Sequence, residues 1–136
     1  DARDAPSSAF SASTGRFVEQ AAHILDIPVS EFEQAIDSPV PLSDTCAVFC
    51  ESELIGQMAR GASDRHLAAG VNLSIAKRLA PAIKKYKPQK LFMAGGASSP
   101  ALIYFINELT GTEAAVLPRQ QFNGALGCIF YMEKIL

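Results

Sequence analysis

Residues 90–118 constrain the fold more than any other part of the chain, because they spell strand, turn, helix and strand in unbroken order. Lys90-Leu91-Phe92-Met93-Ala94 is a brief apolar run, and Gly95-Gly96 makes a turn. Ser99 is a good N-cap, and Pro100 suits the first helical position, where no amide hydrogen is needed. The helix runs to about Leu109, Gly111 ends it, and Ala114 to Leu117 before Pro118 reads as a second strand. A helix crossing between two strands makes them parallel and the crossover right-handed, so the chain is of the α/β class.

The remainder is mostly helical in pattern. Residues 1–13, opening with DARDAPSSAF, show no periodicity and read as a tail or a severed connection, leaving 14–136 as a single α/β domain. From Thr14, with Gly15 at the entrance, Phe17, Val18, Ala21, Ile24 and Leu25 recur at helical spacing up to Pro28. Ser30-Glu31-Phe32-Glu33 has the form of a capping box, in which serine and glutamate side chains satisfy each other's backbone amides. Thr45-Cys46-Ala47-Val48-Phe49 is a β-leaning apolar run, and Glu51 to Arg60 returns to helical spacing until Gly61. Ser63-Asp64 starts a long helix with Leu67, Val71, Ile75, Leu79 and Ile83 on one face and Pro81 as the expected kink. A last helix, Phe122 to about Ile135, carries Gly124 and Gly127 on one side, where backbones can approach closely.

This reading yields about three short strands, whereas a parallel sheet normally has more members and both faces covered. The sheet is therefore expected to be incomplete, finished by strands before Asp1 or by another chain. With 136 residues, 49% apolar and 19% charged, the chain has the composition of one ordinary globular domain. A net charge of −2 offers no basic stripe for nucleic acid, and Lys84-Lys85-Tyr86-Lys87 falls where a helix C-terminus favours cations. No run reaches the roughly 18 apolar residues of a membrane span, so neither membrane nor nucleic acid is expected as a partner and the cytoplasm is the expected location. Three scattered cysteines make no disulfide framework, and the CxxxC of Cys46 and Cys50 is not a zinc knuckle.

Two segments could hold a ligand. Ser13-Thr14-Gly15 stands before a helix, where free amides and the dipole favour a phosphate. Gly95-Gly96 lies at the carboxyl end of a strand, the side on which open α/β sheets bind ligands, and glycine lets a ribose or base lie against the backbone. Neither a GxGxxG nor a GxxxxGK[ST] sequence is present. Glu51 and Glu53 do not form an acid–base pair, His23 and His66 lack companions at ligand spacing, and Cys50 has no catalytic base nearby in sequence.

Taken in order, Ser13-Thr14-Gly15-Arg16-Phe17, Ser43 to Glu53 (SDTCAVFCESE), Ser74-Ile75-Ala76-Lys77-Arg78, Met93-Ala94-Gly95-Gly96-Ala97 and Asn123-Gly124-Ala125-Leu126-Gly127 resemble the CoA-enzyme activase family, also called the BadF/BadG/BcrA/BcrD ATPases. The likeness covers nearly the whole chain from Phe10 onward. It implies the actin-like ATPase fold shared with sugar kinases and Hsp70, of which this chain is the C-terminal, ribonuclease-H-like part. It also implies ATP or ADP with Mg²⁺, with Gly95, Gly96 and Ala97 at the adenosine and Ser13, Thr14 and Gly15 near the nucleotide. Such activators are homodimers that pass a low-potential electron to a partner dehydratase or reductase. Their 4Fe–4S cluster takes two cysteines from each subunit, four thiolates in all. Cys46 matches one ligand position, while the other, which opens the family's CAAGTGRF pattern, is Phe10 here. The family's Mg²⁺ and phosphate motifs lie upstream of this segment, so the chain as given is not expected to hydrolyse ATP by itself. A small-molecule kinase of the same fold and a regulatory nucleotide-binding module are the alternatives.

Overall fold

The computed structural model describes residues 10–44 and 47–135. Helix α1 spans Phe10–Ile24 and turns Phe17, Val18, Ala21 and Ala22 into the core, with Leu25 just beyond its end. It starts before the expected entrance at Gly15, which lies inside it. Nothing in Phe10 to Ser13 breaks a helix, and extending an existing helix adds one hydrogen bond for each residue fixed. Asp26 adopts a left-handed conformation (φ 52°) and the Ile27 amide donates to the Ala22 carbonyl at 3.1 Å, a Schellman-type stop.

The next helix, α2 (Val29–Phe32), is a single turn anchored by the fully buried Phe32 ring. The expected capping box is not formed. Pro28, with φ fixed at −60°, takes the N-cap and starts the turn two residues early, so Glu33 falls at the C-cap. The strand expected at 45–49 is also absent from its described part: Ala47–Ala59 is one helix, α3, while Thr45 and Cys46 lie outside the described residues. Cys50 and Leu54, one helical turn apart, are both fully buried, so packing of a helical face overrides the β preference of a short apolar run.

Helix α4 (Asp64–Tyr86) is the spine of the molecule. Leu67, Val71 and Ile75 are buried as their spacing predicts, with Leu79 and Ile83 packed partly against the core. The helix continues through Pro81 to a left-handed stop at Lys87 (φ 44°). Gly70 is required by close approach: a Cβ there would collide with the Val40 carbonyl oxygen. Buried Asn72 donates through Nδ2 to the carbonyl of Phe32 (2.9 Å), which also accepts from the Ala35 amide (3.2 Å), and to the carbonyl of Ala35 (3.4 Å), so that it ties the end of the one-turn α2 to α4.

Strands β1 (Leu91–Met93) and β2 (Ala114–Val116) are parallel, with Phe92 opposite Ala115, and α5 (Pro100–Thr110) joins them and packs on α4. The βαβ unit is therefore present as expected. Leu91, Met93 and Ala114 pack against the core, while Phe92 is 56% exposed, so one face of the two-stranded sheet is uncovered. After a 3-10 turn (Gln120–Phe122), helix α6 (Asn123–Ile135) leaves Ile129, Phe130, Tyr131 and Met132 exposed. The expected close packing at Gly124 and Gly127 is not found; no atom lies within 4 Å of a Cβ built at either. No helix among the described residues is long and apolar enough to cross a membrane.

Candidate functional site

The turn after β1 is held open by its backbone. Gly95 sits at φ 103°, a conformation that side chains rarely adopt, and its amide donates to the Gln120 carbonyl at 2.9 Å. Its own carbonyl accepts from the Ser98 amide (3.2 Å), and the Ala97 carbonyl accepts from the Ser99 amide (2.8 Å). Gly96 is exposed, has no left-handed φ, and a Cβ added there would meet no atom within 4 Å. The protein's own packing does not require glycine at Gly96, whereas a flat ligand lying on the backbone would.

The α5 N-terminus beside this turn is already saturated. Pro100 has no amide hydrogen, the Ala101 amide donates to the Glu33 carbonyl (3.0 Å), and the Leu102 amide donates to Ser99 Oγ (3.2 Å). A phosphate would find no free donor among these groups, although helix starts are ordinarily anion sites. The turn is therefore suited to the uncharged part of a ligand.

The bond from Gly95 to Gln120 brings in a segment that sequence reasoning did not single out. Leu117, Arg119, Gln120, Gln121 and Phe122 line a groove directly after β2, and the Leu117 amide donates to the Met93 carbonyl at 3.0 Å. Both walls thus stand at the carboxyl ends of the two parallel strands, the expected crevice of an open α/β sheet. The available signal was a polar Arg-Gln-Gln run after Pro118 at the end of a strand.

The other sequence candidates lie on other elements. Ser13, Thr14 and Gly15 lie within the first two turns of α1, which packs against α2, α3 and α4. Glu51 Oε2 accepts from Gln20 Nε2 (3.0 Å), and Glu53 accepts from the Ser43 amide, so both glutamates have structural roles. His23 is exposed and His66 half-buried. Among the described residues no group of three or more His, Cys, Asp or Glu side chains could hold a metal ion.

The family model described as the BadF/BadG/BcrA/BcrD ATPase family matches residues 7–131. The chain belongs to this family. It is 36% identical over 126 residues to the activator of lactoyl-CoA dehydratase of Anaerotignum propionicum, covering 88% of this chain and 48% of that protein. It is 34% identical to the (R)-2-hydroxyglutaryl-CoA dehydratase activating ATPase of Acidaminococcus fermentans, covering 90% of this chain and 49% of the relative. The chain spans about half the length of these curated relatives. Among solved structures, the activator of the 2-hydroxyisocaproyl-CoA dehydratase from Clostridium difficile with bound ADPNP superposes with a TM-score of 0.75 at 30% identity. That match covers 86% of this chain and 46% of the other. The fold is accordingly that of part of an actin-like ATPase, with the small parallel sheet and surrounding helices described above.

The thiols described do not fit the shared iron–sulfur cluster of the BadF/BadG/BcrA/BcrD family. Cys50 is fully buried in the core, with Sγ 3.6 Å from Ser74 Oγ. Cys128 is exposed on α6, and Cys46 lies outside the described residues. Phe10, on which the resemblance places the second ligand of each subunit, cannot supply a thiolate.

Proposed function

We propose that this chain is the nucleotide-clasping part of an ATPase that activates a CoA-substrate dehydratase or reductase. The nucleoside lies against Gly95, Gly96 and Ala97, and Ser13-Thr14-Gly15 approaches the nucleotide from the start of α1. The observation that carries this reading is the open, backbone-lined turn at the carboxyl end of β1, in a chain whose fold matches an activator solved with ADPNP. The Mg²⁺ that accompanies ATP would be held largely by groups other than the described ones. Assembly as a homodimer and coupling to a redox partner follow from the likeness to dehydratase activators. No electron-transfer step is assigned to this chain; Cys46 is the thiol to examine for iron.

The test is equilibrium binding of ADPNP to the full polypeptide and to its Gly96→Val variant. A Cβ at this position meets no protein atom within 4 Å and Gly96 has no left-handed φ, so the fold should be kept. The expected result is saturable binding to the parent and at least a tenfold loss in the variant, about 1.4 kcal/mol. Equal affinity in the two proteins would remove the glycine turn from the site.

A further inference from the structure

We propose that residues 84–90 form a docking knob for an acidic patch on a partner protein, carried by Lys84, Lys85, Lys87 and Lys90 around Tyr86; this goes beyond the nucleotide reading and does not rest on it. The charges of the chain are segregated, although its net charge is only −2. Residues 1–64 hold eleven Asp and Glu against three Lys and Arg, whereas residues 65–107 hold seven Lys and Arg and no Asp or Glu. Four of those seven cations fall between Lys84 and Lys90, at the end of α4 and in the loop into β1, and all four are exposed. Among the described residues none of the four has an ion-pair partner.

Local structure accounts for part of this cluster and not for the rest. Lys84 and Lys85 occupy the last turn of α4, where the helix dipole favours cations. Lys90 lies beyond that turn, and Lys87 holds the left-handed stop (φ 44°, ψ 57°), a place that glycine fills most readily. A lysine kept there against backbone preference, beside three like charges, points to a use for the charge. The stop also fixes the knob: the Lys87 amide donates to the Ile83 carbonyl at 2.9 Å, and Pro88 follows. Tyr86 is 54% exposed within the cluster, with Lys85 Nζ 5.7 Å from its ring centroid. An exposed tyrosine among cations suits a protein-binding patch, the ring serving as anchor and the charges steering a partner of opposite sign. An extended polyanion, such as nucleic acid or an anionic membrane, is repelled by the exposed acids of the preceding segment, among them Glu19, Asp26, Glu31 and Asp44. A local patch of Asp and Glu on a protein meets the lysines alone. The knob stands at the amino end of β1 and the glycine turn at its carboxyl end, so the two surfaces are separate.

The experiment follows the fluorescence anisotropy of a labelled, tyrosine-containing polyglutamate peptide titrated with the full polypeptide at physiological ionic strength. The parent is compared with Lys87→Glu/Lys90→Glu, which leaves the last turn of α4 intact, and with Arg60→Glu/Lys134→Glu, exposed positions elsewhere that alter the net charge equally. The expected result is saturable binding to the parent, a loss of about tenfold or more in Lys87→Glu/Lys90→Glu, and parent affinity in Arg60→Glu/Lys134→Glu. Thermal melts and ADPNP binding should stay at the parent values in both variants. Equal losses in the two variants would show a response to net charge alone and overturn the knob, as would no loss in Lys87→Glu/Lys90→Glu or no peptide binding by the parent. Tighter binding of duplex DNA or of phosphatidylserine vesicles than of the peptide would overturn the assignment to a protein partner. A parent that binds the peptide as expected but not ADPNP would leave this inference standing and overturn the nucleotide reading.

Discussion

Helices α5 and α6 are similar in length and equally rich in apolar residues, yet one is a core helix and the other is bare. Helix α5 buries Ala101, Leu102, Phe105 and Ile106 against α4, and is capped at Ser99 and at Gly111 (φ 67°). Helix α6 leaves Ile129, Phe130, Tyr131 and Met132 between 54% and 68% exposed, and its main neighbour is the turn that precedes it. The difference is one of connectivity. Helix α5 is tied at both ends to parallel strands, which fold it back onto the sheet and α4, whereas α6 leaves β2 with nothing to return to among the described residues. Apolar content supplies the driving force for burial, but a facing surface decides whether it is realised.

This contrast can be broken most directly with the same residue type on the two helices. Phe105 is buried and meets Tyr104 edge-on at 5.3 Å between ring centroids. Phe105→Ala is expected to lower the unfolding free energy from urea titration by about 3–5 kcal/mol. A loss under about 1 kcal/mol would mean that the α4–α5 core does not hold the domain together. A smaller effect, about 1–3 kcal/mol, is expected for Asn72→Ala, which removes the donor to the Phe32 and Ala35 carbonyls. Slower hydrogen exchange in that variant around residues 32–35 would contradict the role given to this side chain. The smallest change, within about 0.5 kcal/mol, is expected for Phe130→Ala on α6, at 63% exposure. A penalty near that of Phe105→Ala in the full polypeptide would show that α6 is covered there by a surface outside the described residues.

Much of this molecule was legible in the residue order, and the misses share a cause. The βαβ unit was readable because its signals are local: Gly95 needs a positive φ, Ser99 caps the Leu102 amide, and Gly111 ends a helix. The long helix from Asp64 was readable from its apolar stripe, and the unfinished sheet from the small number of strands. The capping box at Ser30 failed because Pro28 competes for the same helix start, and the strand at 45–49 failed because a short apolar run fits two kinds of element. At the candidate site, the glycine turn was found because its geometry demands glycine. Arg119 and Phe122 were not found, because they reach the turn only through one hydrogen bond between segments 25 residues apart, Gly95 to Gln120.

The sequence by itself determined the family, through the order of short segments along the chain, and the α/β class and the glycine turn, because these two rest on residues close together in the chain whose backbone or capping demands are local. Only the tertiary structure decided that Ala47–Phe49 is helical, that Cys50 is a core residue, that the first amides of α5 are already bonded within the protein, and that Leu117–Phe122 lines a groove tied to the Gly95 turn. Each of these depends on which surfaces meet, and the free energy of such meetings comes from burial and hydrogen bonding between segments far apart in the chain.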